Sequence, residues 1–197
     1  MNKELELAKI ALDNHGVIAF PTETVMGLAV YYDDYEAYIK LNTIKRRPED
    51  KPYTMMVKSK EEIKKYALID DRIQKIISAF MPGPITLLLP SKNDLPNWVT
   101  HSGSTVGIRM PSNEIGLALL KIVEKPLLVP SANRSGEKPA LNSKEVADIF
   151  DKEVDFIISG EANLDKPSTI IDLTGKEIKV VREGPITLEQ IQNVLKS

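Results

Sequence analysis

The spacing of apolar residues changes several times along this 197-residue chain. Apolar positions at helical spacing within 5–12 predict a first helix, which Gly16 ends because glycine is favoured just beyond a helix. The continuous apolar run at 17–20 then predicts a buried strand. A second helical pattern from Asp34 to about Ile44 begins at aspartates suited to capping its first turn.

Short apolar runs and helical patterns continue through the rest of the chain. The apolar runs predict strands at Tyr53–Val57, Ile85–Leu89, Thr105–Met110, Leu127–Val129, Phe156–Ile158, Thr169–Leu173 and Ile178–Val181. The helical patterns predict helices at Asp71–Phe80, Glu114–Val123, Ser143–Phe150 and Leu188–Leu195. This mixture predicts an α/β fold with helices packed on a mixed sheet. The later strands follow one another closely, which indicates some antiparallel pairing.

Composition narrows the class of protein. A chain of this length with 42% hydrophobic residues suits one globular domain over 1–197. The absence of cysteine excludes disulfides, thiolate zinc sites and a cysteine nucleophile. With only two histidines, a histidine metal site or a catalytic triad is also disfavoured. A net charge of -2 argues against extensive nucleic-acid binding. No apolar stretch has the length of a signal core or membrane span, so we expect a cytoplasmic enzyme without a membrane partner.

The first candidate site follows the strand at 17–20. Thr22, Glu23 and Thr24 crowd the segment directly after it. Ligand sites in open α/β sheets tend to lie beyond strand ends, which makes these side chains candidates for ligand binding. The alternative is a strand-to-helix turn in which a threonine caps the next element.

A basic segment follows the second predicted helix. Lys45, Arg46, Arg47 and Lys51 place four cations within seven residues. Arginine and lysine side chains suit phosphate or carboxylate oxygens. The alternative is a solvated helix C-terminus, where cations are favoured by the helix dipole.

Two further strands end in polar residues. Arg109 closes an otherwise apolar strand and therefore needs an anionic partner, either an internal carboxylate or a ligand. Thr105 shares its face of that strand and would line the same pocket wall. The strand near 127–129 leads to Ser131 and Asn133, which suit either a polar pocket or an ordinary Asx or Ser turn.

Seven short motifs lie in one order along the chain. They are Phe20-Pro21-Thr22-Glu23-Thr24, Lys45-x-Arg47-Pro48, Pro82-Gly83-Pro84-Ile85-Thr86, Val106-Gly107-Ile108-Arg109, Pro130-Ser131-Ala132-Asn133, Ser168-Thr169-Ile170 and Arg182-Glu183-Gly184-Pro185. In these motifs the chain resembles, over nearly its whole length, the YrdC-like family of L-threonylcarbamoyl-AMP synthases. The resemblance implies a YrdC-like twisted mixed sheet flanked by helices, with a concave basic substrate cleft. It also implies the short form, a single YrdC-like domain without the additional C-terminal domain of longer relatives.

The same resemblance implies a reaction and its partners. Members of the family form threonylcarbamoyl-AMP and pyrophosphate from ATP, L-threonine and bicarbonate or CO2. A downstream tRNA threonylcarbamoyl transferase complex would use the product to modify adenosine beside the anticodon. Mg²⁺ would enter with ATP, with no metal ligands assigned to the protein, and weak binding of tRNA or RNA stays open.

Residue roles also follow from the resemblance. It assigns catalysis to a tetrad of Lys45, Arg47, Ser131 and Asn133. It assigns ATP binding to Arg47, Lys51, Thr105, Ser131, Pro139 and Arg182, and L-threonine binding to Thr24, Met56, Arg109, Val129 and Ser168. Adenylation needs no protein nucleophile, so positioning and charge neutralisation would carry the catalysis.

Two other functions are weighed beside this one. A carbamoyl-adenylate-forming module of the hydrogenase-maturation type is disfavoured because no acylphosphatase-like or zinc-finger segment accompanies these motifs. A noncatalytic RNA-binding module is disfavoured by the acidic balance and by the lack of an aromatic stacking stripe. Salt-sensitive RNA binding without ATP turnover would distinguish the second of these.

Overall fold

The computed structural model describes residues 3–47, 52–92 and 95–196. Its helices within these ranges are α1 (Lys3–Asp13), α2 (Tyr35–Lys45), α3 (Lys60–Tyr66), α4 (Asp71–Phe80), α5 (Asn97–Thr100), α6 (Glu114–Val123), α7 (Ser143–Phe150) and α8 (Leu188–Lys196). Its strands are β1 (Ile18–Phe20), β2 (Gly27–Tyr31), β3 (Met55–Met56), β4 (Ile85–Pro90), β5 (Thr105–Arg109), β6 (Leu127–Leu128), β7 (Phe156–Ile157), β8 (Thr169–Asp172) and β9 (Lys179–Arg182).

These strands, counted over the described ranges, form one nine-stranded mixed sheet. Their order is β7-β1-β2-β6-β3-β5-β4-β8-β9. The pairs β1/β7, β3/β5 and β4/β8 are parallel, and the remaining neighbours are antiparallel. The predicted α/β fold with a mixed sheet and flanking helices is confirmed.

The central strands are buried on both faces of the sheet. Ile18 and Ala19 of β1, for example, belong to two different hydrophobic clusters, because successive side chains of a strand point to opposite faces. One cluster includes Leu41 of α2, and the other includes Leu119 of α6. Strands covered on both faces need apolar residues at nearly every position, which is why the sequence presents them as continuous apolar runs.

The structure corrects the interpretation of the segment after β1. Residues 21–26 join β1 to β2 as a connection between antiparallel strands, with Phe20 opposite Gly27. The alternative of a strand-to-helix turn is therefore wrong. A side chain at position 27 would lie 2.7 Å from Cγ1 of Val129, so glycine lets β2 approach the segment after β6.

Three elements of the structure were not predicted from the sequence. β2, α3 and α5 are additional to the predicted elements. The helix α3 has seven residues rich in charge and begins at Ser59, whose hydroxyl accepts the amide hydrogen of Glu62 at 3.2 Å. Its apolar stripe is too short to show a helical period. No helix within the described ranges is both long and apolar enough to cross a bilayer.

We expect Gly184→Ala to destabilise the fold. A Cβ atom at this position would lie 2.4 Å from the amide nitrogen of Thr169 and 2.7 Å from the carbonyl oxygen of Pro167. Backbone atoms cannot swing aside as a flexible side chain can, so the start of β8 must shift, at a cost of about 1–3 kcal/mol. Thermal unfolding should show a lower Tm.

Gly175→Ala is the matched control, because a Cβ atom there meets nothing within 4 Å. Equal Tm values for the two alanine variants would contradict the tight contact at Gly184.

Candidate functional site

A cavity of about 150 Å³ lies on one face of the sheet. Met56 and Arg109 line it and are register neighbours across β3 and β5. Ile170 and Arg182 also line it and are register neighbours across β8 and β9. Met56, Arg109 and Arg182 are the last residues of β3, β5 and β9, so the cavity lies where these strands end.

The structure brings most of the predicted site residues together. Those that line the cavity are Thr24, Arg47, Met56, Arg109, Val129, Ser131, Ser168 and Arg182. Lys45 and Asn133 contact the segment carrying Ser131 from behind. Pro139 does not line the cavity, and Lys51 lies outside the described residues.

Thr105 and Arg109 do not share one pocket wall. Thr105 lies at the opposite end of β5, paired with Pro90, and does not line the cavity. Four residues of strand separate these two positions by about 13 Å. Sharing a strand face was therefore not enough to place them in one cavity.

The loop 21–26 is organised by the hydroxyl of Thr22. Its Oγ1 donates to the carbonyl of Val25 at 2.7 Å and accepts from the amide of Thr24 at 3.1 Å. Since a hydroxyl has one proton, the 2.9 Å contact between the two threonine hydroxyls must have Thr24 donating. The Oγ1 of Thr24 therefore has no proton left to donate to a ligand and can only accept.

Arg109 is held by the same loop. Its side chain is 6% exposed, and its Nη2 donates to Oε1 of Glu23 at 2.8 Å and to Oγ1 of Thr24 at 2.9 Å. Of the two anionic partners considered for Arg109, an internal carboxylate or a ligand, the structure shows the internal carboxylate, which is Glu23. The Nε of Arg109 and the Oε2 of Glu23 have no hydrogen-bond partner among the described residues. Both of these atoms are buried, so the part of Arg109 that a ligand can reach is the part that lines the cavity.

Arg182 and Ser168 form a second polar group in the cavity wall. The Nε of Arg182 donates to the carbonyl of Ser168 at 2.9 Å, and its Nη2 donates to the Oγ at 3.0 Å. Burial lowers the pKa of Arg182, and the charge of Arg109 adds to that effect. An anion between these two arginines would relieve their repulsion.

Thr86 is a contact of this group that sequence analysis did not assign. Its Oγ1 lies 3.0 Å from the Oγ of Ser168, and the residue is 1% exposed. In the sequence, Thr86 was noted only as the last residue of the motif Pro82-Gly83-Pro84-Ile85-Thr86, and no function was assigned to that motif. Thr86 supports Ser168 from beneath the cavity floor.

Arg47 reaches the cavity from the end of α2. Its guanidinium lies 4.7 Å from the ring centre of Tyr53, and Nη2 donates to the carbonyl of Pro52 at 3.4 Å. Tyr53 is fixed in turn, because its hydroxyl donates to Oδ1 of Asn42 at 2.5 Å. A cation stacked on a fixed ring is held close to one position.

Lys45 is buried behind the cavity. It is 1% exposed, and Nζ donates to the carbonyls of Ser131 at 2.6 Å and Asn133 at 2.7 Å. Burial lowers its pKa to about 7, and the charge of Arg47 adds to the shift. Neither interpretation of the basic segment, a phosphate loop or a solvated helix end, fits this residue. Lys45 instead binds the backbone of the segment after β6.

Carboxylates are sparse at the cavity. Within the described ranges, no group of three or more histidine, cysteine, aspartate or glutamate side chains is placed to hold a metal ion. Glu23, the residue before the cavity-lining Thr24, is engaged with Arg109. The cavity therefore presents guanidinium donors, hydroxyl acceptors and apolar side chains, which suits a small anionic ligand.

Sequence comparison assigns a family to this fold and site. The family model for Sua5, YciO and YrdC proteins, described as "Telomere recombination", matches residues 10–184. The chain belongs to this family.

Two curated relatives carry related names. A threonylcarbamoyl-AMP synthase of Pyrococcus abyssi is 36% identical over 181 residues, which are 91% of this chain and 53% of that protein. A putative threonylcarbamoyl-AMP synthase of Methanocaldococcus jannaschii is 36% identical over 190 residues, covering 96% of this chain and 89% of that protein. The chain thus spans about half the length of the Pyrococcus protein and most of the Methanocaldococcus protein.

A solved structure has the same fold. The crystal structure of P. abyssi Sua5 complexed with L-threonine superposes with a TM-score of 0.92 at 35% identity. The match covers 96% of this chain and 56% of that one.

The buried lysine predicts a pH-dependent stability. Lys45 has a pKa of about 7 in the folded protein and an ordinary value of 10.5. Between these values the unfolded chain binds a proton that the folded chain lacks, so stability rises with pH and this gain is lost as pH falls towards 7. Relative to Lys45→Met, the wild-type free energy of unfolding should increase by about 2 kcal/mol between pH 7.5 and 9.0.

Urea unfolding at the two pH values measures this difference. Lys144→Met serves as the control, because Lys144 is exposed on α7. A wild-type advantage over Lys45→Met that does not change with pH would mean that the lysine keeps its proton on folding.

The Glu23 contact predicts a loss of stability in Glu23→Gln. The amide can still accept from Arg109, but the buried guanidinium loses its compensating charge. We expect unfolding free energy to fall by about 1–3 kcal/mol, as for a hydrogen bond to a charged group. Denaturant unfolding checks this, with Glu161→Gln at an exposed position as the control. Equal effects of the two variants would show that the charge of Glu23 contributes nothing.

Proposed function

We propose that this chain is an L-threonylcarbamoyl-AMP synthase, which forms threonylcarbamoyl-AMP and pyrophosphate from L-threonine, bicarbonate or CO2, and ATP. The observation that carries the proposal is the convergence of Arg47, Arg109 and Arg182 on one cavity. Glu23 pairs with Arg109, and the lining of the cavity itself contains no carboxylate among the described residues. Such a site is suited to ligands that carry several negative charges, as ATP and an amino-acid carboxylate do.

L-Threonine fits the arrangement around Arg109. Its carboxylate would pair with the guanidinium of Arg109, and its amino group would donate to the lone pair that Thr24 has left after accepting from Arg109. Met56 and Val129 also line the cavity and would receive the methyl group. The L-threonine complex of a relative with the same fold supports this assignment.

ATP would occupy the side of the cavity formed by Arg47, Ser131 and Arg182. The amine of threonine would attack CO2 and lose a proton, giving a carbamate. A carbamate oxygen would then attack the α-phosphorus of ATP as the bond to pyrophosphate breaks. The chain supplies charge neutralisation through its arginines and needs no protein nucleophile.

Mg²⁺ would enter as part of the ATP substrate and neutralise the departing pyrophosphate. The residues that would share this task are the arginines of the cavity. Consumption of the product by a tRNA threonylcarbamoyl transferase complex, in the cytoplasm, completes the proposal. Direct contact with tRNA is not needed for the synthase reaction.

Pyrophosphate release tests the proposed reaction. The protein is incubated with MgATP and bicarbonate, together with L-threonine, L-serine or carbamoyl phosphate, and any adenylate is identified by mass spectrometry. Threonylcarbamoyl-AMP that depends on threonine and bicarbonate would support the proposal. An adenylate formed from carbamoyl phosphate would replace it with the carbamoyl-transfer function. Ligand binding without any adenylate would favour a binding module.

Substitution of the arginines should separate the two substrates. Arg109→Ala should raise the KM for L-threonine at least about tenfold, because a charge-assisted contact worth about 1.4 kcal/mol or more is lost. Arg47→Ala should instead raise the KM for ATP. Steady-state pyrophosphate release, with each substrate titrated in turn, measures both effects.

The two variants serve as controls for each other. Arg109→Lys is the second test at that position, because it keeps the charge but loses the planar fork and should give an intermediate KM for threonine. Unchanged KM values for both substrates in folded variants would remove these role assignments.

A further inference from the structure

Lys45, Ser131 and Asn133 form one hydrogen-bonded group at the segment after β6. We infer that Ser131 presents a hydrogen-bond acceptor to the nucleotide, and that Lys45 and Asn133 are positioning residues that fix this polarity. The inference rests on the proposed use of ATP and concerns which atoms of the nucleotide the site can recognise.

The amide of Asn133 has a determined orientation. Its Nδ2 donates to the carbonyls of Arg134 at 2.7 Å and Glu137 at 2.9 Å, so both amide hydrogens have acceptors. A flipped amide would place Oδ1 against two carbonyl oxygens, which cannot donate. Oδ1 must therefore face the hydroxyl of Ser131, 2.6 Å away.

This orientation determines where the proton of Ser131 goes. Amide oxygen accepts and cannot donate, so the hydroxyl of Ser131 donates to Asn133. The hydroxyl has no proton left to donate to a ligand, and its lone pairs are what the side chain of Ser131 offers the cavity that it lines.

Lys45 reinforces the same arrangement. Its Nζ donates to the main-chain carbonyls of Ser131 and Asn133, and lies 3.4 Å from Oδ1 of Asn133. The lysine thereby holds the backbone on both sides of Ala132 and keeps the acceptor on Asn133 close to the serine. Lys45 and Asn133 are 1% and 9% exposed, so both act from behind the cavity wall.

The polarity restricts what the side chain of Ser131 can bind. Ionised phosphate oxygens only accept, so they do not match a hydroxyl that can itself only accept. The nucleotide groups that do match are those with a proton to give, namely a ribose hydroxyl or the exocyclic amine of adenine. Phosphate contacts are left to main-chain N–H groups and to the arginines, and the hydroxyl of Ser131 selects for the nucleoside part of ATP.

Nucleotide binding to variants tests this assignment. We would measure Kd by calorimetry for MgATP, its 2′-deoxy and 3′-deoxy forms and its N6-dimethyl form, in the absence of threonine and bicarbonate. Wild-type protein should bind one of the three analogues about 3- to 10-fold more weakly than ATP, as expected for one hydrogen bond. Ser131→Ala should weaken ATP binding by a similar factor and should no longer distinguish that analogue from ATP.

Ser135→Ala is the matched control, since Ser135 is exposed in the same segment, and it should keep the wild-type preference. If Ser131→Ala weakens ATP and all three analogues by the same factor, Ser131 does not accept from any of these groups and the inference is wrong. Failure of the wild-type protein to bind any of the nucleotides would overturn the proposed function and, with it, this inference.

The positioning role of Asn133 has a separate readout. Asn133→Ala should still bind ATP but show a smaller preference against the same analogue, because the serine hydroxyl is no longer held in the orientation that presents its lone pairs to the ligand. A purely structural role would change Kd for ATP and every analogue equally, leaving the preference intact. Should Asn133→Ala fail to fold, the comparison of Ser131→Ala with the analogues still decides the polarity.

Discussion

Burial of the positive charge of Arg109 is the constraint on which the candidate site depends. A guanidinium that is 6% exposed is costly unless charged and polar groups compensate it. Those groups come from Glu23 and Thr24, on a loop between strands that lie several positions away from β5 in the sheet. The loop can serve this role because Thr22 organises its backbone from within. One buried cation thus joins two distant parts of the sheet and forms a wall of the cavity.

A second buried cation repeats this arrangement. Lys45 lies at the end of α2 and binds the main chain around Ser131 and Asn133, far along the sequence. In both cases the protein uses the protons of cavity hydroxyls internally. Thr24 donates to Thr22, and Ser131 donates to Asn133. The side-chain donors in the cavity are therefore the arginines, whereas these two hydroxyls can only accept. This separation of donors from acceptors gives the cavity its chemical selectivity.

The sequence predicted the parts of this structure that local chemistry determines. The strand ending at Arg109 was evident from its apolar run, and the need of that arginine for an anion followed from burial alone. The strand Gly27–Tyr31 was missed because the polar residues before it indicated a turn. Its pairing with other strands could not be inferred from one sequence. The burial of Lys45 was missed for a related reason. A lysine in a basic segment has the composition of a solvated helix end, and only the approach of the segment after β6 buries it.

The arginine contacts also bear on which amino acid the site would select. A methyl group received by Met56 and Val129 contributes about 1–3 kcal/mol, a 10- to 200-fold preference, so contact with the methyl alone gives only modest discrimination against serine. The carboxylate and amine contacts are common to all amino acids and add nothing to that preference. Serine carries the same hydroxyl, so that group separates threonine only from amino acids that lack a hydroxyl, such as valine. Ser168, whose oxygen is fixed by Arg182 and Thr86, offers this hydroxyl a polar partner in the cavity. Selection against serine would therefore depend on the methyl contacts with Met56 and Val129, and selection against valine on the polar support beneath Ser168.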